Sequence, residues 1–395
     1  MIQVIDSGTD WGHPDLANNV WQNLGEDLDG DGWTIEWDDV DYEWVFDPGD
    51  IDDWDDDHNG FPDDFVGWDF MQNDLDPACL YVTGDHGDHT AGTVAAVTNN
   101  WLTPEQASNL CMNRTGTVAG TSWFSKIMIA RFSGDDDEAI EAIEYGVMNG
   151  ARIISMSWGG TDDNPDLEDA LVGAYNEGVL LVAAAGNYIY DVPSYPAAYA
   201  SVLAVAATGV NDVKEGYSNY GTWVDLCAPG ENWSPGRELG RWSRYCYSEM
   251  GGTSIATPFI AGVAALVWTC NLSATNDEVR YALESTADEI CSLPGNQGQP
   301  WCSPFNKLGH GRVNALEAVK VFRPYPPPPG DCKVNYRVDL SDALCILNWL
   351  FKNQAPPDPF CAANVNGDDI VDFADALYIL NYLFHGGPAP LDGCD

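Results

Sequence analysis

From residue 1 to residue 322 the chain alternates short, almost wholly apolar runs with longer stretches whose apolar residues recur at helical spacing. Residues 1–5, 127–131, 152–157, 179–185 and 202–207 read as strands buried on both faces. Residues 135–149, 166–177 and 254–268 read as helices between or after them. A strand that is apolar on both faces must be covered on both. The pattern therefore predicts an α/β domain with a parallel sheet and helices on each face, with active groups at the carboxyl ends of the strands.

Three segments place reactive residue types at such ends. Val-Ile-Asp-Ser-Gly at 4–8 sets Asp6 at the end of an apolar run. His-Gly-Asp-His-Thr-Ala-Gly-Thr at 86–93 sets His86 at the start of a small-residue helix, and Gly-Gly-Thr-Ser-Ile-Ala-Thr-Pro at 251–258 sets Ser254 after a glycine pair at another helix start. Each alone has an ordinary explanation. A strand-end Asp caps a turn, His86 and His89 pack or share a metal, and a Ser after glycines caps a helix. Together, in the order Asp, His, Ser, they offer what nucleophilic catalysis needs. A serine hydroxyl is a weak nucleophile until an imidazole takes its proton, and a carboxylate keeps that imidazole in the right tautomer.

With His-Pro-Asp-Leu at 13–16, Ser-Trp-Gly-Gly at 157–160 and Ala-Ala-Gly-Asn at 184–187, these segments resemble, in order, the subtilisin-like serine proteases (subtilases), over residues 1–322. The resemblance implies a secreted serine endopeptidase acting on protein or peptide substrates. Ser254 would be the nucleophile, His86 the base, Asp6 its orienting carboxylate and Asn187 a donor to the oxyanion. Ser157, Trp158, Gly159 and Gly160 would form the strand that pairs with extended substrate. His89 matches a position outside the triad and is expected to be structural. Asp88 stands where Thr is usual and is expected to raise the pKa of His86. The alternatives are a catalytically idle subtilase-fold binding or adhesion protein and an acidic metal buffer; the latter leaves the strand–helix core unexplained. Only five residues precede Asp6 where the family carries tens, so a secretion leader and a folding pro-segment are expected to lie outside this sequence.

Charge narrows the partners. Asp and Glu total 62 against 16 Lys and Arg, a net charge of −46, and residues 1–113 hold 27 acidic residues and no Lys or Arg. Such a chain is repelled by nucleic acid. The best apolar run, 260–268, is too short for a bilayer span, which takes about 18 residues. Two acidic runs have calcium-loop spacing: Asp27, Asp29 and Asp31 with Gly32, and Asp55, Asp57 and Asn59 with Gly60 and Asp63. Ca2+ is the expected cofactor there, with salt adaptation as the other explanation of the acidity. The resemblance also makes Asp15 a candidate calcium ligand.

Residues 323–330, Arg-Pro-Tyr-Pro-Pro-Pro-Pro-Gly, form a stiff linker. Beyond it, Asp-Ala-Leu-Cys-Ile-Leu-Asn-Trp-Leu-Phe at 342–351 recurs at 375–384 with eight of ten positions the same. Each copy reads as an amphipathic helix after a polar loop. The 331–395 segment resembles a type I dockerin, an α-helical calcium-loop module, which implies a cohesin-like partner in a polysaccharide-associated assembly; a calcium-stabilised terminal module without partner is the alternative. The second loop offers Asn364, Asn366, Asp368, Asp372 and Asp375. The first offers Asp331, Asn335, Asp339 and Asp342, weakened by Lys333. Eleven Cys without CxxC pairs point to disulfides and an extracellular or cell-surface location, with Cys270 the candidate for an unpaired buried thiol. The protein is expected to act as a monomer.

Overall fold

The computed structural model describes residues 1–40, 43–78, 85–100, 117–236, 246–302, 306–322, 330–332, 338–352, 356–357, 360–368 and 370–391. They divide into two compact units, Met1–Ala318 and Val319–Asp395.

The first unit is built on seven parallel strands: β1 (Ile2–Asp6), β4 (Gly67–Asp69), β5 (Ile127–Arg131), β6 (Ile153–Met156), β7 (Leu180–Ala184), β8 (Val202–Thr208) and β9 (Leu226–Pro229). Their order is β4-β5-β1-β6-β7-β8-β9. The five strands expected from apolar runs are all present. The two outer strands, β4 and β9, were not expected. They are short, and Gly-Trp-Asp and Leu-Cys-Ala-Pro carry no long apolar run. Gly67 is required where it is: at φ 134° a Cβ would lie 1.8 Å from the Ile129 carbonyl oxygen.

Alternate residues of the central strands explain the two-sided cover. Ile5, Met128, Ile154, Met156, Leu181 and Val202 are buried against Ala142, Ile143, Leu167 and Leu171 of the helices Asp136–Met148 and Pro165–Asn176. The other face is covered by the helix Thr253–Cys270, which packs on β6 to β9 and on the helix Asp85–Ala95. Thr253–Cys270 has 18 residues and is apolar enough to reach the length of a bilayer span, contrary to the expectation from the 260–268 run. It lies 72% buried within the protein, as a core helix does.

Two hairpins decorate the sheet: β2 (Ile35–Asp38) with β3 (Glu43–Phe46), and β10 (Glu231–Gly236) with β11 (Cys246–Gly251). Cys291 and Cys302 form a disulfide, and Cys246 is disulfide-bonded as well. Cys270 is only half-buried, its thiol facing the Leu266 carbonyl at the helix end. A deeply buried free thiol is Cys227 in β9, which donates to the Leu308 carbonyl and is pushed up to about 12 by burial.

In the second unit the helices Leu340–Lys352 and Phe373–His385 pack together around Ala343, Ile346, Ala376 and Ile379. The repeat is visible in their caps. Asp342 accepts from the Asp339 amide and Asp375 from the Asp372 amide, both at 2.8 Å. The proline run at 323–329, Lys333 and Asn335 lie outside the described residues.

Arg131 ends β5 and makes a buried ion pair with Asp69 at the end of β4. Arg131→Met leaves Asp69 buried and uncompensated, and we expect a loss of roughly 3–5 kcal/mol in urea unfolding. Arg131→Met with Asp69→Leu should recover most of it. Equal losses in the single and double variants would show that the pair does not anchor the edge.

Candidate active site

Asp6 is the last residue of β1, and the strand order reverses around β1, so its carboxyl end opens into a crevice. The carboxylate is 4% exposed. Oδ1 accepts from His86 Nδ1 at 2.8 Å and from the Ser7 amide at 2.7 Å, and Oδ2 accepts from the Thr90 hydroxyl at 3.1 Å. Burial opposes the charge on Asp6. The charge and hydrogen bond of His86, the Ser7 amide and Thr90 outweigh it and hold the carboxyl below its ordinary value. In return the Asp6 charge raises His86 above the ordinary value, against the opposing effect of burial.

His86 and Thr90 lie one turn apart on the helix Asp85–Ala95, so a single helix supplies two contacts to one carboxylate. That helix starts hard against the loop after β1: a Cβ on Gly87 would lie 2.0 Å from the Gly8 carbonyl oxygen. Asp88 does not act as expected. It accepts from the Asp10 amide at 2.5 Å, and the second acidic influence on His86 is Asp85. His89 is fully buried, faces the Asn232 carbonyl at 3.2 Å and is lowered to about 4 by burial, which fits a neutral structural role.

Ser254 opens the first turn of the helix Thr253–Cys270, where unpaired amides leave a partial positive charge. Its hydroxyl donates to the Ser157 carbonyl at 3.0 Å, and the Ser157 hydroxyl donates to the Ser254 carbonyl at 2.7 Å. The exposed Asn187 is oriented by its neighbour. Its Oδ1 accepts from the Thr253 amide at 2.8 Å and the Thr253 hydroxyl at 3.1 Å, which turns the Nδ2 amine away from Thr253. Thr90 and Thr253 were missed from sequence. Both stand inside the quoted motifs, and a hydroxyl one helical turn after His86 was a readable signal.

The Ser157–Gly160 strand is only partly open. The Gly160 amide and carbonyl are both paired with Tyr195 at 2.8 Å, so Gly160 is not a substrate-pairing residue. Ser157, Trp158 and Gly159 remain. Trp158, Gly159 and Gly160 line a cleft of about 550 Å3 with Phe132 and Tyr195, and Asp135, Asp136, Asp137 and Asp162 make its wall acidic.

The acidic insertion, about residues 26–85 between Asp6 and His86, regroups the expected ligands. Asp57 meets Glu26 and Asp64, carboxylate oxygens within 4.8 Å of one another, and Asn59 donates to Asp57 and Asp64. Asp55 and Asp63 are not with them. Asp55 accepts the Asn59 and Gly60 amides, and Asp63 those of Asp52 and Asp53. Asp27, Asp29 and Asp31 instead meet Asp47 and Asp50. Burial pushes Asp15 up to about 6, and Tyr247, Asn100 and the Val118 amide all donate to it. Asn364 is buried, Asn366, Asp368 and Asp372 face solvent to differing degrees, and Asp375 accepts the Val365 and Asp372 amides. The described groups of three acidic side chains within ligand distance all lie in the insertion.

Gly87→Ala should push the Asp85–Ala95 helix off Gly8, lengthen the His86–Asp6 bond and cost roughly 100-fold in kcat/KM on a peptide substrate. Full activity in that variant would show that the close approach does not set the pair.

The family model for the subtilase family matches residues 1–316. Thermitase of Thermoactinomyces vulgaris is 39% identical over 64% of this chain and 80% of its own length. A thermophilic serine proteinase of a Bacillus species (strain AK1) is 34% identical over 80% of the chain but 61% of its own length. A solved structure described as proteases from Pseudoalteromonas arctica matches with a TM-score of 0.56 and 25% identity, over 81% of this chain and 89% of its own. With the sheet order and the Asp6–His86 pair, these matches place the chain in the subtilase family of serine endopeptidases.

Proposed function

We propose that the chain is a secreted, calcium-supported endopeptidase in which Asp6, His86 and Ser254 are the triad. The reading rests most on one observation, the 2.8 Å bond from His86 Nδ1 to a buried, ionised Asp6. That bond fixes the proton on Nδ1 and leaves Nε2 as the basic nitrogen. Ser254 Oγ turns from the Ser157 carbonyl toward His86, loses its proton to Nε2 and attacks the scissile carbonyl carbon. The negative oxygen that forms is met by Asn187 Nδ2 and by the amide end of the Thr253–Cys270 helix. His86 then returns the proton to the leaving amine, and a water molecule repeats the sequence in reverse on the acyl-serine. Ser157, Trp158 and Gly159 hold the substrate backbone in extended form.

Calcium is the cofactor of this reading. The Glu26, Asp57 and Asp64 group suits a hard cation with oxygen ligands, and Gly25 leaves room for it: a Cβ there would sit 2.8 Å from Asp57 Oδ2. Bound there, calcium cross-links the insertion; it takes no part in the chemistry. The Asn364–Asp375 loop is the proposed calcium site of the second unit. Its paired helices and mirrored Asp caps support a dockerin-like module with a cohesin-like partner. Disulfides support an extracellular location.

A fluorophosphonate probe tests the catalytic reading. Wild type in calcium should label and Ser254→Ala should not, with kcat falling on the order of 10^6-fold, as for loss of a triad nucleophile. An intact, folded wild type that stays unlabelled would establish the idle scaffold instead. His86 accepts a proton only when neutral, and Asp6 raises its pKa. The rate kcat/KM should therefore climb with pH through an apparent value above the ordinary 6.5 of histidine. A flat profile from pH 5 to 9 would refute His86 as the base.

A further inference from the structure

We infer a second divalent-cation centre, distinct from the Glu26 group, that clamps the base of the β2–β3 hairpin. It deepens the calcium reading above and rests on it. Its ligands come from two segments. Asp27, Asp29 and Asp31 lie just before β2, and Asp47 and Asp50 just after β3. Oxygens of Asp27, Asp29 and Asp50 lie within 4.8 Å of one another, as do those of Asp29, Asp31 and Asp47. Asp29 belongs to both triads and joins them into one centre.

Two observations point to a ligand rather than to a solvated acidic loop. Asp50 is fully buried. Its Oδ1 accepts the Leu28 and Asp29 amides at 2.9 and 3.3 Å, while the buried Oδ2 has no partner. A buried carboxylate oxygen without a donor is costly unless a cation meets it. Gly49 forms a cradle. A Cβ there would sit 2.6 Å from Asp29 Oδ2 and 3.1 Å from Asp47 Oδ1, so glycine at 49 leaves both carboxylates room to converge. No protein cation serves the centre from its own segment, since residues 1–113 contain no Lys or Arg. Arg131 is taken by Asp69, and Lys126 by the Asn18 and Val20 carbonyls. Oxygen-only donors on two converging loops are the chemistry of Ca2+.

The clamp reaches toward the active site through aromatic contacts. Phe46 of β3 stacks on Trp11 at 4.5 Å, and Trp11 lies five residues after Asp6. Binding would hold the hairpin against the segment that follows the triad carboxylate.

The test uses the full chain, stripped with EDTA and titrated with Tb3+ or Ca2+. Trp33 lies two residues from Asp31 and should sensitise terbium emission from this centre. Asp29 is exposed, so Asp29→Asn should fold, and Asp50→Asn removes the buried charge at constant shape. Each should lose about one bound calcium per chain and weaken terbium binding by roughly 10-fold or more. Glu26→Gln should leave that signal in place. Unchanged calcium content and emission in Asp29→Asn and Asp50→Asn, with a wild type that binds, would overturn the clamp and leave the Glu26 group standing. A wild type that binds neither ion would overturn both.

Discussion

The contact on which the site depends is the one between Asp6 and His86. It is a charged hydrogen bond in a place where a lone carboxylate would be costly, and each partner makes the other's charge affordable. The fold is arranged to deliver it. β1 brings Asp6 to the carboxyl edge of the sheet from an interior position, third of seven strands, where neighbours on both sides fix its backbone. The Asp85–Ala95 helix is set against that edge by glycine-to-glycine contact at Gly8 and Gly87, and then supplies His86 and Thr90 together. A larger residue at 87 would act on catalysis through a distance, without touching substrate.

The same logic governs the acidic half of the unit. Its carboxylates are held largely by backbone amides in place of lysine and arginine. Asp27 takes the Gly30 and Gly32 amides, Asp55 those of Asn59 and Gly60, and Asp63 those of Asp52 and Asp53. Amide donors stabilise a charge without neutralising it, so net repulsion among the groups remains. The donors run out at Asp50, whose buried Oδ2 has no hydrogen-bond partner.

The central strands and the catalytic residue types were legible because their signals are local. Short apolar runs bounded by turn residues marked the strands, and Asp6, His86 and Ser254 each stand beside a strand end or a helix start. β4 and β9 were not legible, since at a sheet edge a short strand needs no apolar run. Loop-to-loop relations were hidden for a different reason. The spacing in Asp27–Gly32 and Asp55–Asp63 describes a ligand set closed within one loop. In the folded chain Glu26 crosses to Asp57 and Asp64, and Asp47 and Asp50 return to Asp29 only because the β2–β3 hairpin brings the two ends together. Spacing along the chain carries no information on such closure. Gly160 failed similarly: nothing near it in sequence announces that Tyr195 has taken its amide and carbonyl.

Rigidity and charge are thereby separated within one unit. The sheet is close-packed around apolar side chains, with its ionisable groups at strand ends, as Asp6, Asp69 and Arg131 are, and on the helices. The insertion is the reverse, with many carboxylates around few apolar anchors. The two regions meet through aromatic and hydrogen-bond contacts. Tyr145 on the Asp136–Met148 helix donates to Asp64 at 2.6 Å, Phe61 packs edge-on against Tyr145, and Phe46 stacks on Trp11. Through Tyr145 the acidic region touches the core, and through Trp11 it touches the segment that follows Asp6. A change in the acidic region would thus reach the active site through one side of the Asp6 loop, while the sheet beneath it keeps its shape.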